Sequence, residues 1–135
     1  MIDLLLVDRN YRAHTDTMCK FIEDFVEDCH VDVDIDYAAY ADYNPEDAKK
    51  RIQEKKYRAV IIDPNADFPD DRNPTISYMR LVREQNIPII VSTLLSEEEL
   101  TKRFGVRKGV DYDEYAVKRI HIDVVVALKR VMKML

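Results

Sequence analysis

The chain has 135 residues, of which 47% are hydrophobic and 35% charged, with two glycines and a formal net charge of −5. That length fits one domain around one core, and the lack of Gly-rich or Ser-rich tracts excludes flexible linkers and long disorder. Basic residues are scattered among acids rather than gathered in a stripe, which argues against DNA, RNA or an anionic membrane and points to a protein partner.

The opening run MIDLLLVD has no basic leader and is too short for a signal peptide or a membrane span, so a cytoplasmic location is expected. Residues 2–7 are apolar apart from Asp3, as in a strand buried on both faces, and the run stops at Asp8-Arg9. Met18, Phe21, Ile22, Phe25 and Cys29 then recur at the spacing of a helix with one buried face. Cys19 and Cys29 lie on or just after that helix, roughly 15 Å apart and beyond disulfide reach, so both read as free core thiols. VDVDIDY alternates strictly. Val31, Val33, Ile35 and Tyr37 form one face, and Asp32, Asp34 and Asp36 form a solvated acidic row suited to a sheet edge. The row lacks the Gly and closing Glu of a calcium loop.

Asn44-Pro45 predicts the start of a second helix, with Ala48, Ile52 and Lys55 on its inner face up to Lys56. Ala59 to Ile62 is a short β-branched strand that stops at Asp63, and PNADFPDDRNP over 64–74 is a loop. Asn73-Pro74 opens a third helix using Ile76, Met79 and Val82 or the stem of Arg83. Ile87 to Val91 is a buried strand, and Ser96 with Glu99 makes a capping box for a short fourth helix closed by Gly105. Val110 to Val117 is a weaker strand, and Ile122, Val125, Val126, Leu128 and Met132 mark the last helix. Five β-α units in succession predict an α/β fold: a parallel sheet with helices on both faces and right-handed crossovers. Functional residues in such folds collect at the carboxyl ends of the strands. Those ends carry Asp8 and Arg9, then Asp63, then Ser92 and Thr93, then Lys118. One carboxylate can serve as a nucleophile and another can hold a hard cation. The hydroxyl and the ammonium can take up the charge of a transferred phosphoryl group.

The succession LLLVD, VIID, PIIVST and a Lys some way before the last helix resembles the receiver domain of two-component response regulators, over nearly the whole chain. The resemblance implies a flavodoxin-like (βα)5 doubly wound sheet of strand order 2-1-3-4-5, one receiver-like domain over 1–135 with no output domain, and a signalling role rather than an enzyme's. It implies Asp63 as phosphoacceptor, Asp8 and Asp63 with the carbonyl of Asn65 as Mg²⁺ ligands, Lys118 as phosphate-binding lysine, Thr93 as switch hydroxyl and Tyr115 as switch aromatic. The implied partners are a sensor histidine kinase and a downstream protein. The face of the fourth helix, fifth strand and fifth helix is the contact surface, which also allows a homodimer.

Four residues depart from that pattern. Arg9 stands where a second acid is usual, so the formal charge of Asp8, Asp63, Arg9 and Lys118 is zero and Mg²⁺ binding should be weakened. Pro64 has no N–H to offer an anion. Leu94 replaces a small residue beside Thr93, where its bulk is expected to narrow the entrance, and Arg119 replaces a Pro that aims the lysine. These departures keep a second reading open: a phosphorylation-independent pseudo-receiver in which Arg9 stands in for the metal by pairing with Asp63 or Asp8. A third, more remote, is a small α/β enzyme binding a flavin or nucleotide; the missing glycine-rich phosphate loop argues against it. His14, His30 and His121 have no ligand spacing and read as surface or helix-end residues.

Overall fold

A computed structural model of the chain describes residues 2–8, 20, 22–24, 33–39, 45–64, 74–118 and 121–133. Five parallel strands form one sheet in the order β2-β1-β3-β4-β5. They are β1 (Ile2–Asp8), β2 (Val33–Ala39), β3 (Ala59–Ile62), β4 (Ile89–Thr93) and β5 (Glu114–Val117). Helical residues 20 and 22–24 belong to α1. The other helices are α2 (Pro45–Glu54), α3 (Pro74–Glu84), α4 (Glu97–Phe104) and α5 (His121–Val131). None of the described helices is long and apolar enough to cross a membrane.

The apolar runs have no polar alternation because the central strands are covered on both faces. Leu5 and Val7 of β1, Val60 and Ile62 of β3, and Ile89 and Val91 of β4 pack under α2, α3 and α4 through Ile52, Met79 and Leu100. The alternate residues, Leu4, Leu6, Ile61, Ile90 and Ala116, meet Ile22, Val124 and Leu128 of α1 and α5. The parallel doubly wound sheet expected from the sequence is thus the observed one.

Four local readings change. The acidic face of β2 is not simply solvated: Asp36 Oδ2 accepts from Lys55 Nζ at 2.8 Å and from the Tyr57 hydroxyl at 2.7 Å, and Asp34 accepts from Lys55 at 3.1 Å. Lys55 accordingly lies beyond the end of α2 at Glu54 instead of on its inner face. The fifth strand is shorter than Val110 to Val117. Gly109 adopts φ +85°, open to glycine but strained for other residues, and Asp111 Oδ2 accepts the Arg107 N–H at 2.8 Å, so residues 107–113 turn. In α5, Ile122 is 55% exposed, whereas Val124 and Ala127 join Val125, Leu128 and Met132 in the core. Asp123 holds the first turn of that helix on β5, which rolls Ile122 outward.

The N-cap of α4 is as expected. Ser96 Oγ accepts the Glu99 N–H at 3.1 Å, and Gly105 closes the helix in the left-handed region with φ 69°. The acceptor half of the capping box is altered, because the Glu99 carboxylate meets the Ser96 hydroxyl at 3.4 Å. Cys19, Cys29, His14 and His30, with the cap Asn44 and most of the 64–74 loop, lie outside the described residues, as does the side chain of His121.

Candidate functional site

The carboxyl ends of β1, β3, β4 and β5 lie side by side. Val7 pairs with Ile62 and the Asp63 N–H donates to the Val7 carbonyl at 3.0 Å, so the backbone of Asp8 and Asp63 leaves two adjacent strands, about 4.8 Å apart. β4 lies between β3 and β5, with Thr93 paired to Val117, so Thr93 stands between Asp63 and Lys118.

Lys118 is aimed by its own backbone. Its N–H donates to the Thr93 carbonyl at 3.0 Å, and the preceding Val117 N–H donates to Asp123 Oδ2 at 3.3 Å. Its ammonium then reaches across the sheet to Asp63 Oδ2, 55 residues away in the chain, in a hydrogen-bonded ion pair whose two side chains are largely buried. Asp123 is a positioning residue that the sequence reading passed over. Its signal was an acid in the first turn of the helix following the lysine.

Thr93 is 2% exposed and its Oγ1 accepts the Leu95 N–H at 3.3 Å. The Tyr115 hydroxyl donates to the Leu95 carbonyl at 2.5 Å, so the backbone after Thr93 is held from both sides. Burial, with the charges of Glu97 and Glu99 nearby, pushes the Tyr115 hydroxyl above its ordinary pKa. Leu94, directly after Thr93, is 58% exposed. Pro64 is buried directly after Asp63.

Arg9, Asn65 and Arg119 lie outside the described residues, and so does the side chain of Asp8. Among the described residues, no group of three His, Cys, Asp or Glu side chains converges as a metal site. The adjacent ends of β1 and β3 both carry aspartates, whose oxygens are of the hard type that Mg²⁺ takes.

No protein-family model matches the sequence, and no curated protein is detectably similar to it. Solved structures are similar over the whole length. The response regulator of Desulfuromonas acetoxidans superimposes with a TM-score of 0.65 at 16% identity, covering 100% of this chain and 99% of that one. The chemotaxis protein CheY4 of Vibrio cholerae gives 0.60 at 21% identity, covering 97% and 98%. The receiver domain of the sensor histidine kinase PA1611 of Pseudomonas aeruginosa, described with magnesium in its active-site cleft, gives 0.62 at 17% identity, covering 98% of both. The chain has the flavodoxin-like fold of response-regulator receiver domains.

Proposed function

We propose that this protein is a signalling receiver that accepts a phosphoryl group on Asp63 from the phosphohistidine of a sensor kinase and passes the change on by protein contact. The observation that carries this reading is the contact of Lys118 with Asp63 across the ends of β3 and β5, with the buried Thr93 hydroxyl on the strand between. An Asp63 oxygen attacks phosphorus as the P–N bond to the donor imidazole breaks, and the imidazole leaves with the bonding electron pair. Lys118 exchanges its carboxylate contact for the phosphoryl oxygens, and the Thr93 hydroxyl donates to another. Asp8, Asp63 and the Asn65 carbonyl would hold Mg²⁺, whose charge offsets that of the phosphoryl group. Because Thr93 holds the Leu95 N–H and Tyr115 holds the Leu95 carbonyl, a shift of Thr93 toward phosphate changes the start of α4 and its face with β5 and α5. That face is the contact surface for a downstream protein or a second copy.

The second reading is a phosphorylation-independent pseudo-receiver in which Arg9 stands in for the metal by pairing with Asp63 or Asp8. Incubation with acetyl phosphate and Mg²⁺, followed by intact-mass measurement, separates the two. One added phosphoryl group, lost in Asp63→Asn, is expected. No incorporation at high Mg²⁺ leaves the pseudo-receiver.

A further inference from the structure

At the opposite end of the sheet, a cleft of about 430 Å³ opens between the last residues of α2 and α3. Its charged lining residues are Lys56 and Arg58, with no acid among them, in a protein of net charge −5. Both cations are exposed and neither makes an ion pair with a described residue. Three amide side chains, Gln53, Gln85 and Asn86, share the cleft, and none of them has a side-chain hydrogen bond recorded among the described residues. The floor is apolar and fixed: Ile52, Tyr57 and Ile87 are core residues, with Tyr57 held through its hydroxyl on Asp36, and Pro88 is partly exposed beside them.

Two groups of carbonyls, at the ends of α2 and α3, would attract cations here for purely structural reasons. Neither Lys56 nor Arg58 bonds those carbonyls through its side chain, however, and the pairing of two cations with three amides goes beyond what the helix ends require. A guanidinium and an ammonium together match a phosphate, the first as a two-pronged donor and the second as a point charge. Amides offer a donor and an acceptor side by side, the pattern that reads the edge of a nucleobase. The volume falls within the range of small-ligand sites. We propose that this cleft binds a mononucleotide, with its phosphate on Lys56 and Arg58, its base edge on the amides and its ring against Pro88. The site lies at the starts of the strands, away from Asp63, so it does not depend on the phosphoryl-transfer reading.

The test is calorimetric titration of the full chain with AMP, GMP, CMP and UMP in turn, alongside inorganic phosphate and adenosine. At least one mononucleotide is expected to bind more tightly than phosphate or adenosine. Its affinity should fall about tenfold or more in Arg58→Glu and in Lys56→Glu, the loss expected for a charge-assisted hydrogen bond. Gln85→Ala should weaken it as well, and Asp63→Asn should leave it unchanged. Lys49→Glu, an equal change of charge on exposed α2 outside the cleft, should have little effect. All the changed cleft side chains are exposed, and unaltered circular dichroism would show that each variant is folded. The proposal is overturned if none of the four nucleotides binds, if phosphate binds as well as they do, or if Lys49→Glu weakens binding as much as Arg58→Glu.

Discussion

Ser92 is buried with a hydroxyl that meets no partner, whereas the adjacent Thr93 accepts the Leu95 N–H. Successive residues on a strand face opposite ways, so Ser92 points with Ile90 toward α5, beside Ala116. A buried hydroxyl without a partner costs about 1–3 kcal/mol of desolvation, while its loss leaves only a very small void. Ser92→Ala is therefore expected to be neutral or to stabilise by up to about 1 kcal/mol in urea unfolding. It should leave any beryllofluoride-induced NMR shifts at Leu95 intact. Thr93→Ala should remove those shifts. The residues alone placed both at one strand end, and only the resemblance singled out Thr93, because which face each side chain takes depends on the packing of the sheet.

At the scale of elements, α5 shows what periodicity can and cannot resolve. Its apolar residues are numerous enough to make more than one stripe, and the sequence reading chose the one containing Ile122. The structure chooses Val124, Val125 and Leu128, because Asp123 anchors the first turn on the Val117 N–H and so sets the rotation of the helix. Leu128→Ala should cost about 2–5 kcal/mol in denaturant unfolding, and Ile122→Ser should stay within about 0.5 kcal/mol of the parent. A large loss from Ile122→Ser would mean that the stripe is placed wrongly. The strands were legible for a different reason: runs buried on both faces leave few alternatives for LLLV, AVII or PIIV. Lys55 was not, since its place is decided by a partner distant in the chain, Asp36, and the sequence reading ran a strand through the 107–113 turn despite Gly109.

Across the whole molecule, the strongest described charge pairs outside the crevice lie near the starts of the strands. Arg83 grips Asp113 with two nitrogens, at 2.6 and 3.1 Å, and Asp113 also accepts the Ile89 N–H. Burial pushes the Asp113 carboxyl up, but the Arg83 fork and that N–H outweigh it and hold it below its ordinary value. Asp36 is lowered by its bonds from Lys55 and then Tyr57. A carboxylate depressed in the folded state stabilises at pH above its unfolded value, near 4, and loses that contribution as pH falls through the folded value. Thermal stability should thus be level near neutrality and decline below about pH 4. Asp113→Asn should lower stability at pH 7 by about 1–2 kcal/mol, allowing for solvent screening, and flatten the acid limb. An acid limb as steep as the parent's would show that other groups carry it. The crevice, by contrast, is spanned by a contact between residues that follow β3 and β5, the third and last strands. On a ribosome adding about 5–20 residues per second, Asp63 emerges seconds before the lysine that meets it. A nascent chain thus presents the Asp63 carboxylate for a time without that cation, and the cross-sheet pair is a property only of the finished sheet.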